Sequence, residues 1–104
     1  MEKSKKSDLI VIAVAKSKSG DEAILEQALR EVAAPTRLQP GCVSFSLYRS
    51  ADAPGVIVGL ERWASKEAHD RHLQGAHVQT LMSKMMPVLA EPPSIVAYEV
   101  IDEA

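Results

Sequence analysis

The sequence predicts a single α+β domain, and three features of its residue pattern carry that prediction. The chain has 104 residues, a length that suits one domain. Apolar runs with strand character alternate with segments in which apolar residues recur at helical spacing. Glycine and proline separate these segments. With 46% hydrophobic and 25% charged residues, the composition is that of an ordinary globular protein.

The pattern of the first half predicts a strand, a helix and a second strand. Leu9–Ala15 is a continuous aliphatic run, which is typical of a buried strand. From Glu22 to Ala34 the apolar residues stand at helical spacing, and we expect Pro35 to end this helix. Polar and apolar residues alternate in Cys42–Arg49, as in a strand with two different faces. The alternation predicts three apolar residues on one face, namely Val43, Phe45 and Leu47.

A hairpin loop, a third strand and a capped helix follow. Ser50–Gly55 is rich in alanine, aspartate, proline and glycine, which favours a hairpin loop. Val56–Trp63 is the third predicted strand. Ser65 can cap the next helix, with Glu67 in its first turn. The inner side of this helix is expected to carry Ala68, His72 and Leu73, with His69 facing solvent.

Gly75 divides the second helical region in two. A further helix is expected to begin near Ala76 and to be distorted or ended by Pro87. Ile95–Ile101 is the last predicted strand. The order strand, helix, strand, strand, helix, strand is that of the ferredoxin-like βαββαβ fold, a four-stranded antiparallel sheet with its helices on one face.

Helices on one face leave the other face of the sheet uncovered, yet the first and last strands are apolar on both faces. Val11 and Ile12 alternate in the first strand, as Ala97 and Tyr98 do in the last. An uncovered apolar sheet would form a large exposed patch. We therefore expect a homodimer that packs sheet against sheet, as in a dimeric α/β-barrel.

Composition and charge argue against several classes of function. The net charge of −2 and the lack of an arginine-rich stripe argue against nucleic-acid binding. Leu9–Ala15 is too short to span a membrane, although the lysines before it imitate a signal peptide. Cys42 is the single cysteine, which suits a reducing compartment. We expect a cytoplasmic protein with a flexible tail over residues 1–8 and one domain over residues 9–104.

Glu61 and Trp63 share one face of the third strand, and three histidines follow. A carboxylate beside Trp63 loses part of its hydration and needs a partner, for which His72 is the expected candidate. The pair is either a general base, since a carboxylate raises the basicity of an imidazole, or a structural hydrogen bond between helix and sheet. His69, His72 and His77 also suggest a metal site, but no established zinc motif supports one, and we predict none.

The chain carries an ordered series of short motifs: Pro40-Gly41-Cys42, Ser46-Leu47-Tyr48-Arg49, Asp52-x-Pro54-Gly55, Glu61-Arg62-Trp63-x-Ser65-x-Glu67-Ala68, His72-Leu73 and His77. Together they resemble the antibiotic biosynthesis monooxygenase (ABM) family, which includes small quinol monooxygenases. The resemblance extends from Leu9 to Ile101. It implies the ferredoxin-like fold, a dimer through the sheets, and a pocket between sheet and helices.

The resemblance also implies oxygenation of a quinol-like or phenolic molecule by O2, without metal, flavin or haem. Such a reaction needs a base, an apolar cavity and donors for an oxyanion. On this expectation the base is His72, oriented by Glu61, or else His77. Trp63 is expected to form a wall and to offer its indole N–H. The other expected substrate contacts are Tyr48, Arg49, Phe45, Leu81 and Met82.

The chain departs from the family pattern in two ways that leave other functions open. Polyketide-oxidising members place an asparagine where this chain has Gly59. Haem-degrading relatives use a first-strand asparagine, absent here, and a histidine where Leu73 stands, so haem degradation is not expected. An isomerase of a phosphorylated dione resembles the Glu61 and His72 region. The alternatives are therefore an isomerase of a small dicarbonyl and a non-catalytic dimeric module for ligand binding or stress response.

Overall fold

Residues 8–104, which the computed structural model describes, form one four-stranded antiparallel sheet with helices on one face. The elements are β1 (Leu9–Lys16), α1 (Glu22–Arg37), β2 (Cys42–Arg49), β3 (Val56–Trp63), α2 (Lys66–Gln74), α3 (Ala76–Met85), a 3-10 helix (Met86–Val88) and β4 (Ser94–Glu99). The strand order is β2-β3-β1-β4, and all neighbours are antiparallel. The predicted ferredoxin-like fold is therefore confirmed.

The predicted N-terminal tail falls mostly outside the described residues, which begin at Asp8. Asp8 itself is buried, and its carboxylate lies 3.2 Å from the guanidinium of Arg62 on β3. At the other end of the chain, β4 stops at Glu99 rather than at the predicted Ile101. The reason is the register, because Glu99 lies opposite Leu9, where β1 begins. None of the helices within residues 8–104 is long and apolar enough to cross a membrane.

Helix α1 continues through Pro35 to Arg37, so the prediction that Pro35 ends the helix is wrong. Proline removes one backbone donor and disturbs the turn that precedes it. Val32 and Thr36, on either side of the proline, are both buried against the rest of the fold. This packing holds the last turn helical despite the lost hydrogen bond.

A β-bulge at the start of β2 moves one predicted core residue to the surface. The pairing of β2 with β3 shifts between Cys42 and Ser44, which leaves Val43 as the extra residue. Val43 is exposed, whereas Phe45 is buried and Leu47 half-buried. The expectation that Val43 shares their face is wrong, because one inserted residue shifts the alternation of side chains.

The two faces of the sheet differ in what covers them. The face under the helices carries buried side chains, among them Val11, Phe45, Ile57 and Trp63. The opposite face, here called the open face, carries large apolar side chains that are exposed, namely Tyr48, Leu60, Val96 and Tyr98. The open face is the surface for which the sequence predicts a second copy of the chain.

The two short helices begin and end as the sequence predicts. Ser65 caps α2, its hydroxyl oxygen accepting the backbone N–H of Ala68 at 3.1 Å. Gly75 separates α2 from α3, and Pro87 lies in the 3-10 helix that follows α3. The cap and the break fix where the histidines of this region stand relative to the sheet.

Candidate active site

A cavity of ≈ 70 Å³ lies between the sheet and the helices. Its walls are mostly apolar and include the predicted pocket residues Phe45, Leu81 and Met82. Ionisable side chains contribute to the wall from two elements, namely Glu61 from β3 and His69 and His72 from α2. The cavity therefore combines an apolar interior with one cluster of groups that can exchange a proton or a hydrogen bond.

Glu61 is a buried carboxyl group that is held by Trp63. The indole Nε1–H of Trp63 donates to Glu61 Oε1 at 2.8 Å, and both side chains lie on the helix-covered face of β3. Their spacing of two residues along a strand places them side by side. Burial raises the pKa of Glu61 above its ordinary value, and the hydrogen bond from Trp63 opposes part of that rise.

His72 is held by Gln39, a residue that the sequence analysis missed. Gln39 Oε1 lies 2.6 Å from His72 Nδ1. An amide oxygen can only accept, so Nδ1 carries the hydrogen and Nε2 keeps its lone pair. Gln39 lies in the loop between α1 and β2, and no spacing rule links that loop to a helix 33 residues further on.

The expected hydrogen bond between Glu61 and His72 is not formed within the described part of the chain, and the expectation that Glu61 orients His72 is wrong. Trp63 donates to Glu61 from the same strand, and Gln39 accepts from His72. Each group has thus found its partner elsewhere. Both still line the same cavity.

The Gln39 loop reaches α2 because of Gly41. Gly41 has a φ of 87°, a conformation that favours glycine, and a Cβ added there would stand 2.5 Å from the Cβ of Ala68. Its carbonyl oxygen also accepts the backbone N–H of Ala64 at 2.7 Å. This close approach of loop and helix brings Gln39 within hydrogen-bond distance of His72.

The ring of His72 lies within a cluster of aromatic rings. Its centroid is 4.7 Å from that of Trp63, at an interplanar angle of 36°, and 6.4 Å from that of Phe45. Trp63 is fully buried behind the imidazole, does not line the cavity, and donates its indole N–H to Glu61, so the expectation that it forms a cavity wall and offers this N–H to the substrate is wrong. Burial lowers the pKa of His72 to about 4, with smaller contributions from the nearby imidazoles of His69 and His77. His72 is therefore neutral at physiological pH.

His69 is buried, and the expectation that it faces solvent is wrong. It is 7% exposed and lines the cavity, because α2 turns Ala68, His69 and His72 towards the sheet together. Its Nε2 is buried and has no hydrogen-bond partner among residues 8–104. Burial lowers its pKa as well. A buried nitrogen without a partner is costly, which makes His69 a candidate contact for a ligand.

His77 stands beside His72 but lines a different surface. The two ring centroids are 5.7 Å apart, yet His77 lines a groove with Thr80 and Lys84 rather than the cavity. Its Nε2 too is buried without a partner in the described range. Within that range, no three histidine, cysteine, aspartate or glutamate side chains come together as a group that could hold a metal ion.

Tyr48 and Arg49, predicted to contact the substrate, do not line the cavity. Both line a surface groove of ≈ 330 Å³ between α1 and β2, where an Arg49 nitrogen lies 2.7 Å from Glu26 Oε1. Tyr48 pairs with Val58 on β3, is 55% exposed, and belongs to the open face. The structure thus separates these two residues from the cavity that contains Glu61, His69 and His72.

Comparison with known proteins identifies the family. The model of the family described as "Antibiotic biosynthesis monooxygenase" matches residues 8–84. The chain belongs to the ABM family. Over 98 residues it is 32% identical to "Putative monooxygenase Rv0793" of Mycobacterium tuberculosis, an alignment covering 94% of this chain and 96% of that protein. The structure of Rv0793 matches with a TM-score of 0.88, covering 94% and 99% of the two chains.

Other solved structures agree with this assignment. A protein from Caulobacter crescentus, described as a putative antibiotic biosynthesis monooxygenase, is 27% identical, with a TM-score of 0.85 and 92% of each chain covered. One of the same description from Nitrosomonas europaea is 23% identical, with a TM-score of 0.88 and 96% of each chain covered, and supports the fold alone. ABM membership and the name of the mycobacterial relative support a monooxygenase-like activity on a small molecule.

Proposed function

We propose that this ABM protein is a cofactor-independent monooxygenase that oxidises a quinol-like or phenolic molecule with O2. The observation that carries the proposal is the composition of the cavity wall. Most of the wall is apolar, as an aromatic ring requires, and Glu61, His69 and His72 stand together as its ionisable groups. A phenolic hydroxyl is the group that such a pocket can both bind and deprotonate.

The chemistry balances without a further reductant. A phenol that loses its hydroxyl proton becomes a good electron donor to O2. One oxygen atom forms a new C–O bond on the ring, the O–O bond breaks, and the other oxygen leaves as water with the hydroxyl hydrogen and the ring hydrogen that was replaced. The product is a quinone, and the substrate supplies all four electrons. The protein has to bind the ring, accept a proton and stabilise negative charge.

His72 is the base in this proposal, with Gln39 as its positioning residue. The Gln39 oxygen holds the hydrogen on Nδ1, so Nε2 is the atom that accepts the phenolic proton. A pKa of about 4 keeps His72 neutral and so able to accept a proton. The same low pKa makes its imidazole a weak base while no substrate is bound. Proton transfer therefore depends on stabilisation of the imidazolium that forms.

Glu61 provides that stabilisation. It lines the same cavity as His72, and although burial raises its pKa, the N–H of Trp63 opposes part of that rise by favouring the charged form. An imidazolium beside a buried carboxylate is stabilised far more than it would be in water. His69, with its unpartnered Nε2, is the candidate donor or acceptor for the substrate oxygen.

An isomerase of a phosphorylated dicarbonyl has less support. The described side chains that line the cavity include no lysine and no arginine. A phosphate carries about −1.5 to −2 charges near neutral pH, and binding it inside an apolar cavity without a cation is costly, so the phosphate of such a substrate would have to lie among the arginines outside the cavity. A non-catalytic binding module shares the geometry of the site, and turnover is what separates it from an enzyme.

The proposal also places the protein in the cytoplasm, as a homodimer in which the open faces of the two copies pack together. Tyr48, Leu60, Val96 and Tyr98 are between 41% and 55% exposed on that face. A partner sheet would bury them, and apolar burial yields roughly 25 cal/mol per Å². The exposed apolar face is the support for the dimer.

Oxygen consumption by chelator-treated protein tests the activity, with a panel of hydroquinones and phenols as substrates. The matched variants are His72→Ala, His77→Ala and Trp63→Phe, and Arg71→Gln is the control because it lies exposed on α2 beside His72. We expect uptake that survives chelation, falls about 10²- to 10⁴-fold in His72→Ala, and is unchanged in Arg71→Gln.

Three outcomes would contradict the proposal. Oxygen uptake no faster than autoxidation across the whole panel would rule out the proposed oxygenase activity. Deuterium exchange at the carbon next to a carbonyl group, without oxygen uptake, would support an isomerase activity instead. A rate that collapses in His77→Ala but not in His72→Ala assigns the base to the other candidate histidine.

A further inference from the structure

The cavity is too small for the ring that the proposed function requires. Its volume is ≈ 70 Å³, whereas an apolar cavity of about 150 Å³ is known to accommodate benzene. The wall must therefore move when an aromatic ligand enters. The question is which part of the wall moves, and what the ligand meets behind it.

Three side chains form the part of the wall that also faces a second pocket. Leu29, Leu47 and Ile57 line the cavity and at the same time line the ≈ 330 Å³ groove between α1 and β2. Ile57 is buried, but Leu29 and Leu47 are only half-buried. Leu29 and Leu47 also pack against the core, but of the three shared side chains they lose less packing on rotation than the buried Ile57 does, and their rotation joins the cavity to the groove.

The groove differs from the cavity in charge. Arg30, Arg37 and Arg49 line it, together with a single carboxylate, that of Glu26. Glu26 accepts hydrogen bonds from both Arg30 and Arg49, and these bonds lower its pKa. Three guanidinium groups against one carboxylate leave the groove positive.

The guanidinium of Arg37 is anchored by one hydrogen bond, and its other N–H groups are available to a ligand. Its Nε–H donates to the backbone oxygen of Phe45 at 3.0 Å, and Phe45 is itself a wall of the cavity. The terminal nitrogens of Arg37 make no hydrogen bond to the described residues. A guanidinium held in this way is pre-organised to bind a carboxylate.

We propose that the cavity and the groove form one elongated binding site, joined through Leu29 and Leu47, for a phenol that carries a carboxylate. The hydroxyl group lies at Glu61, His69 and His72, and the carboxylate lies at Arg37 and Arg49. The inner half of this inference rests on the proposed function. The outer half rests on the charge of the groove and on the wall that the two pockets share.

Binding of a matched series of ligands tests the site. The probes are phenol, then 4-hydroxybenzoate, 4-hydroxyphenylacetate and 3-(4-hydroxyphenyl)propionate, each acid beside its neutral methyl ester. Dissociation constants come from calorimetry at low salt, because surface charge is screened at high salt. Chemical shifts of the His69 and His72 rings report whether the hydroxyl end is in the cavity.

We expect at least one acid to bind about five- to tenfold more tightly than its own ester, which is less than a buried charge-assisted hydrogen bond contributes because the groove is open to solvent. The double variant Arg37→Gln/Arg49→Gln removes that difference, and Arg71→Gln, at an exposed arginine outside both pockets, keeps it. Leu29→Ala opens the shared wall and strengthens binding of the acids. Leu73→Ala, which lines the cavity but not the groove, does not.

The possible failures are distinguishable. If each acid and its ester bind with equal affinity, and both change the chemical shifts of the His69 and His72 rings, the proposal of an elongated site is overturned. The phenol site of the proposed function then still stands. A preference for the acid that persists in the double variant Arg37→Gln/Arg49→Gln also overturns the elongated site. If neither phenol nor any acid shifts those rings, the phenol site of the proposed function fails as well.

Discussion

His72 Nδ1 lies 2.6 Å from Gln39 Oε1, and this contact between a loop and helix α2 selects the tautomer of the imidazole. The selection matters because it leaves Nε2 as the ring nitrogen with a lone pair. A residue outside the cavity wall therefore determines which ring nitrogen of His72 carries the hydrogen.

Replacing Gln39 by leucine removes the acceptor while keeping the size of the side chain. We expect the Nδ1–H tautomer of His72 to lose its preference, which nitrogen-15 NMR of the histidine rings measures directly. Gln39→Glu is the matched control, since a carboxylate still accepts from Nδ1 and raises the pKa of His72. An unchanged tautomer in Gln39→Leu would contradict the assignment.

The buried imidazole of His72 makes stability depend on pH. Its pKa is lowered from 6.5 to about 4, so between these values the unfolded chain binds a proton that the native protein does not. The native state is therefore destabilised as pH falls from about 6.5 to about 4. The raised pKa of Glu61 has the opposite effect on stability. Above pH 4.5, its ordinary pKa, the native state keeps a proton that the unfolded chain has lost, so the native state is destabilised as the pH rises.

Denaturant unfolding of the wild type and His72→Gln at a series of pH values isolates the histidine, because Glu61 is present in both. The wild type should lose more stability than the variant between pH 6.5 and pH 4, by up to about 3 kcal/mol. Parallel curves for the two proteins would mean that His72 is protonated as easily in the native state as in the unfolded one.

Gly41→Ala should be far more destabilising than Gly20→Ala. Both glycines have positive φ values, 87° and 93°, so each substitution meets backbone strain of about 1 kcal/mol. At Gly41 the new Cβ also stands 2.5 Å from Ala68 Cβ, whereas nothing lies within 4 Å at Gly20. Loss of the Gln39 contact to His72 should accompany the Gly41 change, visible in the same NMR spectra. Equal loss of stability in the two variants would argue against the close contact.

Trp63→Phe should raise the pKa of Glu61 further. The substitution removes the indole N–H that favours the charged carboxylate and leaves its burial in place. A carbon-13 titration of the Glu61 carboxyl group measures the change. Some loss of stability is also expected, since Trp63 is fully buried and the smaller ring leaves a void. If the pKa falls instead, water has entered and replaced the lost donor.

Leu60→Asp should convert the proposed dimer to a monomer. Leu60 is 41% exposed on the open face. A charged side chain at this position opposes the packing of one sheet against the other. Ile24→Asp is the control, because Ile24 is 55% exposed on α1, away from that face. Sedimentation velocity at micromolar concentration measures the mass. A wild-type monomer, or a dimer that survives Leu60→Asp, would rule out this interface.

Local patterns predicted most of the fold. The bounds of β2 and β3, the Ser65 cap and the break at Gly75 follow from alternation, capping and glycine chemistry, which act over a few residues. The end of α1 did not follow, since the burial of Val32 and Thr36 outweighs the local effect of Pro35. The surface position of Val43 did not either, because a bulge depends on the partner strand.

The sequence by itself determined the order of elements, the family, and the cavity residues Glu61, His72, Phe45, Leu81 and Met82. Only the tertiary structure decided that Gln39 holds His72, that Trp63 holds Glu61, and that His69 is buried. It also decided that Tyr48 and Arg49 line a separate groove. The physical reason is the length scale of the interactions. Periodicity and capping act between near neighbours, whereas hydrogen-bond partners are chosen by whichever groups packing brings within about 3 Å.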